Sequence, residues 1–148
     1  MIIYEFRAQR RIEFADTDLA GIVHFSRFFV FMETAEHEFL RSLGTSVSTT
    51  FDDKLIGWPR LAASCEYLIP ARFEEILDIH LQIARKGRKS MTYRFDFFRD
   101  SDLIARGQMS SACCICEPDG KLTAIPIPDF IARQIVESPG LKSHVRKS

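Results

Sequence analysis

Residues 15–24, with the sequence ADTDLAGIVH, place two aspartates and a glycine just ahead of a long apolar segment. A carboxylate in such a loop can attack a carbonyl carbon or activate a water molecule. If the apolar segment is a helix, the unpaired N–H groups at its start favour negative charge and can stabilise a developing oxyanion. Gly21 allows the backbone to approach a ligand closely. These are the residue types that hydrolysis at a carbonyl carbon requires.

The same two aspartates have a structural interpretation, because loop aspartates commonly accept hydrogen bonds from nearby backbone N–H groups. An isolated Asp-x-Asp pair is usually of this kind. We predict that Asp16 has such a structural role and ties down the loop. The role of Asp18 depends on the wider sequence context.

The segment from Ser26 to Leu43 has the clearest periodicity in the chain. Its apolar residues recur at steps of three and four, as on one face of a helix, at Phe28, Met32, Ala35, Phe39 and Leu43. Ser26 is a candidate N-cap and Gly44 a candidate stop signal. Further apolar residues widen this face, so we expect the helix to be buried on more than one side.

Strand-like segments lie on both sides of this helix in the sequence. They cover residues 3–14 before it and about 60–69, 76–85, 90–99 and 104–117 after it. The breaks between them are short and polar, which favours antiparallel neighbours. This order predicts an α+β fold in which an antiparallel sheet of about five strands wraps around one long central helix.

The remaining segments are less regular. Residues 45–58 have no clear pattern, and Glu117–Gly120 is a strong turn signal. A short helix is expected from about Pro128 to Val136, and residues 144–148 have the pattern of a frayed end.

Composition excludes several classes of protein. The chain has 148 residues, 46% of them hydrophobic, and its 20 basic and 20 acidic side chains cancel. We therefore expect one globular domain, residues 1–148, and neither a nucleic-acid nor a membrane partner. The start of the sequence lacks a signal-peptide pattern, and three of the four cysteines crowd into residues 113–116, which favours a reducing cytoplasm over a disulfide framework.

Residues 11–25, RIEFADTDLAGIVHF, resemble the active-site loop of the 4-hydroxybenzoyl-CoA thioesterase family of hotdog proteins. The shared pattern is an extended stretch, then Asp-x-Asp-x-x-Gly-x-Val, then the long helix. Weaker similarities follow at Trp58-Pro59-Arg60, Tyr67–Arg72, Arg85–Lys89 and Ala105-Arg106-Gly107. The form ADTD-x-AG-x-V-x-F is also similar to the 1,4-dihydroxy-2-naphthoyl-CoA thioesterases of the same superfamily.

This resemblance implies a hotdog fold and hydrolysis of an acyl-CoA, with an aromatic acyl group, to the free acid and CoA. It implies that Asp18 is the nucleophile or general base and that the backbone amide of Phe25 polarises the thioester carbonyl, beside Gly21. One branch of the family has histidine at the position of Phe25, whereas here His24 stands one place earlier. No cofactor is implied, because CoA is part of the substrate.

The basic run Arg85–Lys89 has two interpretations. Such runs are usually solvated turns, but guanidinium and ammonium groups also bind phosphates. The resemblance implies that CoA phosphates bind near this turn, often on a neighbouring subunit, so we predict substrate contacts from Arg88 and Lys89, together with His24 and Pro59. It also implies a homo-oligomer, either a dimer or a homotetramer, which would cover the exposed sheet edge of a single subunit.

Other functions remain open at this point. A non-catalytic protein that binds acyl-CoA or regulates through it is the main alternative, and a hotdog dehydratase would need a catalytic histidine that has no matching context here. We predict no metal site, because the spacing of Cys113, Cys114 and Cys116 matches no standard zinc motif. Glu33-x-x-Glu36-His37 resembles half of a di-iron motif, but no other helix supplies ligands. We expect polar positions there, with Glu33 or Glu36 lining a substrate pocket as the alternative.

Overall fold

The computed structural model describes residues 2–141. Its strands are β1 (Glu5–Arg11), β2 (Thr49–Phe51), β3 (Lys54–Gly57), β4 (Arg60–Tyr67), β5 (Ile76–Lys86), β6 (Ser90–Arg99), β7 (Asp102–Ala112), β8 (Cys114–Cys116) and β9 (Leu122–Ala124). Its helices are α1 (Arg27–Ser42) and α2 (Asp129–Ala132), with a 3₁₀ turn at Phe14–Asp16.

The main sheet has five strands in the order β1-β5-β6-β7-β4, and every neighbouring pair is antiparallel. Strands β5, β6 and β7 alternate buried and partly exposed residues along most of their length, so one face of the sheet packs against the core. The predicted antiparallel sheet of five strands with one long helix is confirmed.

Helix α1 packs against this sheet and forms the centre of the core. The fully buried side chains of Phe31, Met32, Ala35 and Phe39 lie on its sheet-facing stripe. Each large side chain buried in this way stabilises the fold by about 1.5–3 kcal/mol. Gly107 on β7 permits the close approach, because a Cβ there would overlap the Met32 sulfur.

Both ends of α1 lie where the sequence indicates, but one capping prediction is wrong. Gly44 has a φ of +85° just beyond the helix, as expected for a glycine stop. Ser26 precedes the first helical residue but has helical backbone angles and makes no side-chain cap. Its hydroxyl instead bonds Nδ1 of His24 at 2.7 Å.

A second, smaller sheet was not predicted. It has the order β2-β3-β8-β9, and it takes its first two strands from the irregular region 45–58. The predicted strand 104–117 divides into β7 and β8, and the turn at Glu117–Gly120 joins β8 to β9. Helix α2 is shorter than predicted, and residues 144–148 lie outside the described residues.

Glu36, for which a polar position was expected, lies in the core. It is 1% exposed, and its carboxylate accepts a hydrogen bond from Arg60 Nη2 at 2.9 Å. Nη1 of the same guanidinium donates to the Ser111 hydroxyl at 2.8 Å. The buried charge is therefore paired, which is the condition for tolerating it inside a core.

The main sheet has two ends with different content. At one end, which we call the loop end, β1 finishes at Arg11 opposite the start of β5 at Ile76. The chain leaves this end into the aspartate-containing loop. At the other end, which we call the turn end, β5 and β6 are joined by the basic turn, and Ser90 of β6 faces Ala112 of β7.

Candidate active site

The segment 12–25, here called the catalytic loop, is anchored by Asp16. This side chain is fully buried and accepts hydrogen bonds from the Glu13 amide at 2.8 Å and from Arg27 Nε at 2.8 Å. Arg10 lies 3.7 Å away on the same carboxylate. Because Arg27 is the first residue of α1, Asp16 joins the loop to the helix start. The structural role predicted for Asp16 agrees with these contacts.

Backbone hydrogen bonds fold the next part of the loop into a tight turn. The Asp18 amide donates to the Ile22 carbonyl, and the Gly21 amide donates back to the Asp18 carbonyl, both at 2.9 Å. Gly21 has a φ of +76°, a conformation that L side chains adopt at a cost. The Val23 amide then bonds the Ala71 carbonyl at 2.8 Å, which ties the turn to the chain beyond β4.

The half-buried Asp18 carboxylate has one engaged oxygen and one open one. Its Oδ1 accepts a hydrogen bond from the Ala20 amide at 2.8 Å, the local turn that a structural aspartate makes. Within residues 2–141, no group donates a hydrogen bond to Oδ2. The turn therefore orients the carboxylate and leaves one oxygen available.

Asp18 borders a cavity of about 360 Å³. Its other lining residues are mostly apolar and come from the catalytic loop, the first turn of α1 and the segment after β4: Ile22, Val23, Phe25, Phe28, Tyr67, Leu68, Ile69, Pro70 and Ala71. A larger groove of about 720 Å³ lies over β1 and β5, has both charged and apolar lining residues, and contains none of the catalytic-loop residues. The smaller cavity is the candidate site, because it combines predominantly apolar walls with the available carboxylate of Asp18.

Phe25 lines the same cavity, and its backbone amide lies one residue before the helical backbone begins. In the part of the chain that the structure describes, this N–H has no acceptor, whereas the preceding carbonyl of His24 accepts from the Arg27 amide at 2.9 Å. The Phe25 carbonyl accepts from the Tyr67 hydroxyl at 2.9 Å. An unpaired N–H at the positive end of a helix is suited to bind an oxyanion.

The predicted substrate contacts are not brought together within one chain. The His24 side chain stands outside the cavity lining, with its ring 4.5 Å from that of Phe25 and Nδ1 on Ser26. Arg88, Lys89 and Pro59 lie at the turn end. Since β5 takes ten steps from Ile76 to Lys86, the turn end is about 33 Å from the loop end.

Sequence reasoning did not assign a role to the cavity wall at Tyr67–Ala71. The segment was noted only for its similarity to a family feature, because nothing local shows that a hydroxyl at the end of β4 bonds the carbonyl of Phe25, 42 residues earlier. The only signal in the sequence was that Tyr67 has a polar hydroxyl and stands three residues before Pro70-Ala71.

The environment of the Cys65 and Cys113 thiols is not that of a nucleophilic cysteine. Burial raises the pKa of both the Cys65 and Cys113 thiols to about 11, so both stay protonated and weakly reactive near neutral pH. All four cysteines are free thiols. Across residues 2–141, no cluster of three or more His, Cys, Asp or Glu side chains is arranged to hold a metal ion. The same residues contain no helix with the length and apolarity needed to cross a membrane.

Comparison with known proteins identifies the class. The model of the Thioesterase superfamily matches residues 20–105, more than half of the chain, and the chain belongs to this family. The solved structure of a gentisyl-coenzyme A thioesterase is 31% identical, with a TM-score of 0.76 over 86% of this chain and 99% of that one. These similarities confirm the hotdog fold and the prediction of a thioester hydrolase.

Two curated relatives are similar over most of their length. The 4-hydroxybenzoyl-CoA thioesterase of Pseudomonas sp. strain CBS-3 is 27% identical over 83% of this chain and 92% of its own length. The 1,4-dihydroxy-2-naphthoyl-CoA hydrolase of Synechocystis sp. is 28% identical, over 83% of this chain and 90% of its own. The predicted resemblance to both groups is confirmed.

Proposed function

We propose that this thioesterase hydrolyses an acyl-CoA to the free acid and CoA, with Asp18 as the reacting carboxylate. The observation that carries the proposal is that Asp18, which has an available carboxylate oxygen, and Phe25, which has an unpaired backbone amide, line the same apolar cavity. The first can supply or activate a nucleophile, and the second can bind the oxygen of the carbonyl under attack.

Two routes use the same oxygen. In the first, Oδ2 of Asp18 attacks the thioester carbon, the CoA thiolate leaves, and water hydrolyses the resulting anhydride. In the second, Oδ2 takes a proton from water, whose oxygen attacks the carbon, and the thiolate leaves and is protonated. In both, negative charge grows on the carbonyl oxygen, where the Phe25 N–H stabilises it.

An aromatic acyl group is the proposed substrate class. The three similar proteins described above are named for gentisyl-, 4-hydroxybenzoyl- and dihydroxynaphthoyl-CoA. The walls formed by Ile22, Phe28 and Leu68 suit a flat apolar ring, whose burial is favoured by about 25 cal/mol per Å². The proposed reaction requires no cofactor. We propose that the chain works as a single domain in the cytoplasm, and its free cysteines suit that reducing compartment.

The proposed assembly is a homo-oligomer built on β4. This strand is an edge of the main sheet, and most of its residues are exposed, including Leu61 at 64%. Pairing two β4 edges about a two-fold axis makes the strands antiparallel, so the loop end of one subunit lies beside the turn end of its partner. Arg88, Lys89 and Pro59 of one subunit can then bind the CoA part of a substrate held at the other's Asp18. A dimer of such dimers would be the homotetramer.

Steady-state hydrolysis of benzoyl-, naphthoyl- and fatty-acyl-CoA by the wild type and Asp18→Asn tests the proposal. We expect kcat to fall by about 10²–10⁴ in the variant, the usual contribution of such a group. Asp119→Asn is the matched control. The Asp119 carboxylate accepts a hydrogen bond from the Lys121 amide at 2.9 Å in the same kind of local turn, and Asp119 does not line the cavity.

Near-normal turnover by Asp18→Asn would remove this mechanism. Wild-type protein that binds CoA esters tightly without hydrolysing any of the panel would instead establish the non-catalytic alternative.

A further inference from the structure

We infer that Tyr67 is a positioning residue, whose hydroxyl holds the peptide after Phe25 so that the Phe25 N–H stays directed at the bound carbonyl. This inference rests on the proposed function, and it adds a residue from a distant strand to the site. Tyr67 is the last residue of β4 and lines the cavity.

Phe25 lies between two peptide groups, and the carbonyl of each accepts one hydrogen bond. The peptide before it is held by the Arg27 amide, which donates to the His24 carbonyl at 2.9 Å. The peptide after it is held by the Tyr67 hydroxyl, which donates to the Phe25 carbonyl at 2.9 Å. Together these bonds restrict both backbone dihedrals of Phe25, and hence the direction of its N–H.

No other protein group of the described chain takes the place of the Tyr67 hydroxyl, although the Tyr67 side chain is partly exposed. Among residues 2–141, nothing else donates to the Phe25 carbonyl, and the same peptide is otherwise held only by the Ser26 amide on His24 Nδ1 at 3.3 Å. Without the hydroxyl, this peptide can rotate and bring its carbonyl oxygen toward the site. A carbonyl dipole beside a developing oxyanion opposes the reaction, since preorganised donors supply the stabilisation.

The hydroxyl can be removed without moving the ring. The Tyr67 ring packs against Phe28 in an edge-to-face contact with centroids 5.5 Å apart, and its backbone pairs with Ala105 on β7. The chain just after it is held by the amides of Leu68 and Ile69, both bonded to the Ile104 carbonyl. Burial, and then the neighbouring Cys65, raise the pKa of Tyr67, so the hydroxyl remains a donor across the neutral range.

Tyr67→Phe is the test, with Tyr4→Phe as the matched control on an exposed tyrosine outside the cavity lining. We expect Tyr67→Phe to lower kcat about tenfold, the effect of one ordinary hydrogen bond, with KM changed less than about twofold. Because the hydroxyl does not ionise, the ratio of the two kcat values should stay constant from about pH 6 to pH 9. An unchanged kcat, or an effect seen only as a higher KM, would overturn the inference.

A second measurement does not depend on activity. In amide NMR spectra, Tyr67→Phe should shift and broaden the Phe25 and Ser26 signals while those of Val23 and Ala105 stay in place. If the wild type hydrolyses no thioester, the proposed function fails, but these spectra still decide whether Tyr67 orders the Phe25 peptide. Unchanged Phe25 and Ser26 signals would refute the positioning role, even if kcat fell.

Discussion

The two halves of the catalytic loop contain the same residue type in opposite environments. Asp16 lies in residues 12–17, which we call the anchored half; it is fully buried and accepts hydrogen bonds on both carboxylate oxygens. Asp18 lies in residues 18–25, which we call the open half, and lines the cavity. It is half-buried, with one oxygen bonded to the Ala20 amide and the other available. Two positions along the chain thus separate a fully bonded carboxylate from one with an available oxygen.

The difference shows that one half of the loop fixes its position while the other half keeps a carboxylate oxygen available. The anchored half joins the loop to α1 through Arg27, so the loop is tied to the start of the helix. A catalytic group must be held within about 0.5 Å of its working geometry, and the supporting residues supply that constraint. The open half can then leave one oxygen of Asp18 without a hydrogen bond from the described residues, so that this oxygen is available to react with a substrate.

The largest effect on stability should come from Asp16→Asn. It leaves Arg27 without its charged partner, and hydrogen bonds to charged groups contribute about 1.5–3 kcal/mol. We expect the free energy of unfolding to fall by about 2–3 kcal/mol, measured by urea denaturation, because Arg27 is one-third exposed and partly compensated by water. Asp18→Asn is the comparison and should change stability by less than about 0.5 kcal/mol. Equal losses in the two variants would erase the contrast between the halves.

A smaller effect is expected from Gly21→Ala, which strains the open half. At a φ of +76° an alanine costs about 1–2 kcal/mol, and the turn that orients Asp18 should relax away from this conformation. We expect a loss of about 1 kcal/mol in stability together with reduced kcat. Gly44→Ala carries similar strain beyond the far end of α1, at a φ of +85°, and should lower stability without lowering kcat. If both variants keep full kcat, the turn does not position Asp18.

The effect expected at the turn end is on substrate binding alone and leaves both stability and kcat unchanged. Replacing both Arg88 and Lys89 by Ala should raise KM about tenfold at low salt and less at high salt, with kcat unchanged, because phosphate contacts are charge-assisted hydrogen bonds that salt screens. The exposed Lys54 and Lys121, both replaced by Ala, provide the control. A rise in KM of the same size in the control would point to net charge alone.

Subunit mixing extends this experiment to the assembly. Mixed oligomers of Asp18→Asn subunits and Arg88→Ala/Lys89→Ala subunits regain complete sites only if Asp18 and the basic turn act from different subunits. We expect activity above the average of the two parents at substrate concentrations below the wild-type KM. Activity equal to that average, or sedimentation of the wild type as a stable monomer, would contradict the shared site.

Local patterns predicted the parts of this site that depend on neighbouring residues in the chain. The helix Arg27–Ser42, its glycine stop and the loop before it follow from apolar spacing and turn chemistry, which act over a few residues. The short strands of the second sheet carry too few residues for a readable period, so residues 45–58 were taken as irregular. The Ser26 cap was wrong because His24 competes for its hydroxyl.

The sequence by itself determined which residues could do chemistry: a carboxylate loop, a glycine turn and a helix start in that order. Only the tertiary structure decided which aspartate is buried, which oxygen of Asp18 remains available, and that the Tyr67 hydroxyl bonds the carbonyl of Phe25, 42 residues away. The reason is physical, because burial and long-range hydrogen bonds depend on how strands pair in space, and one chain's sequence shows spacing but not proximity.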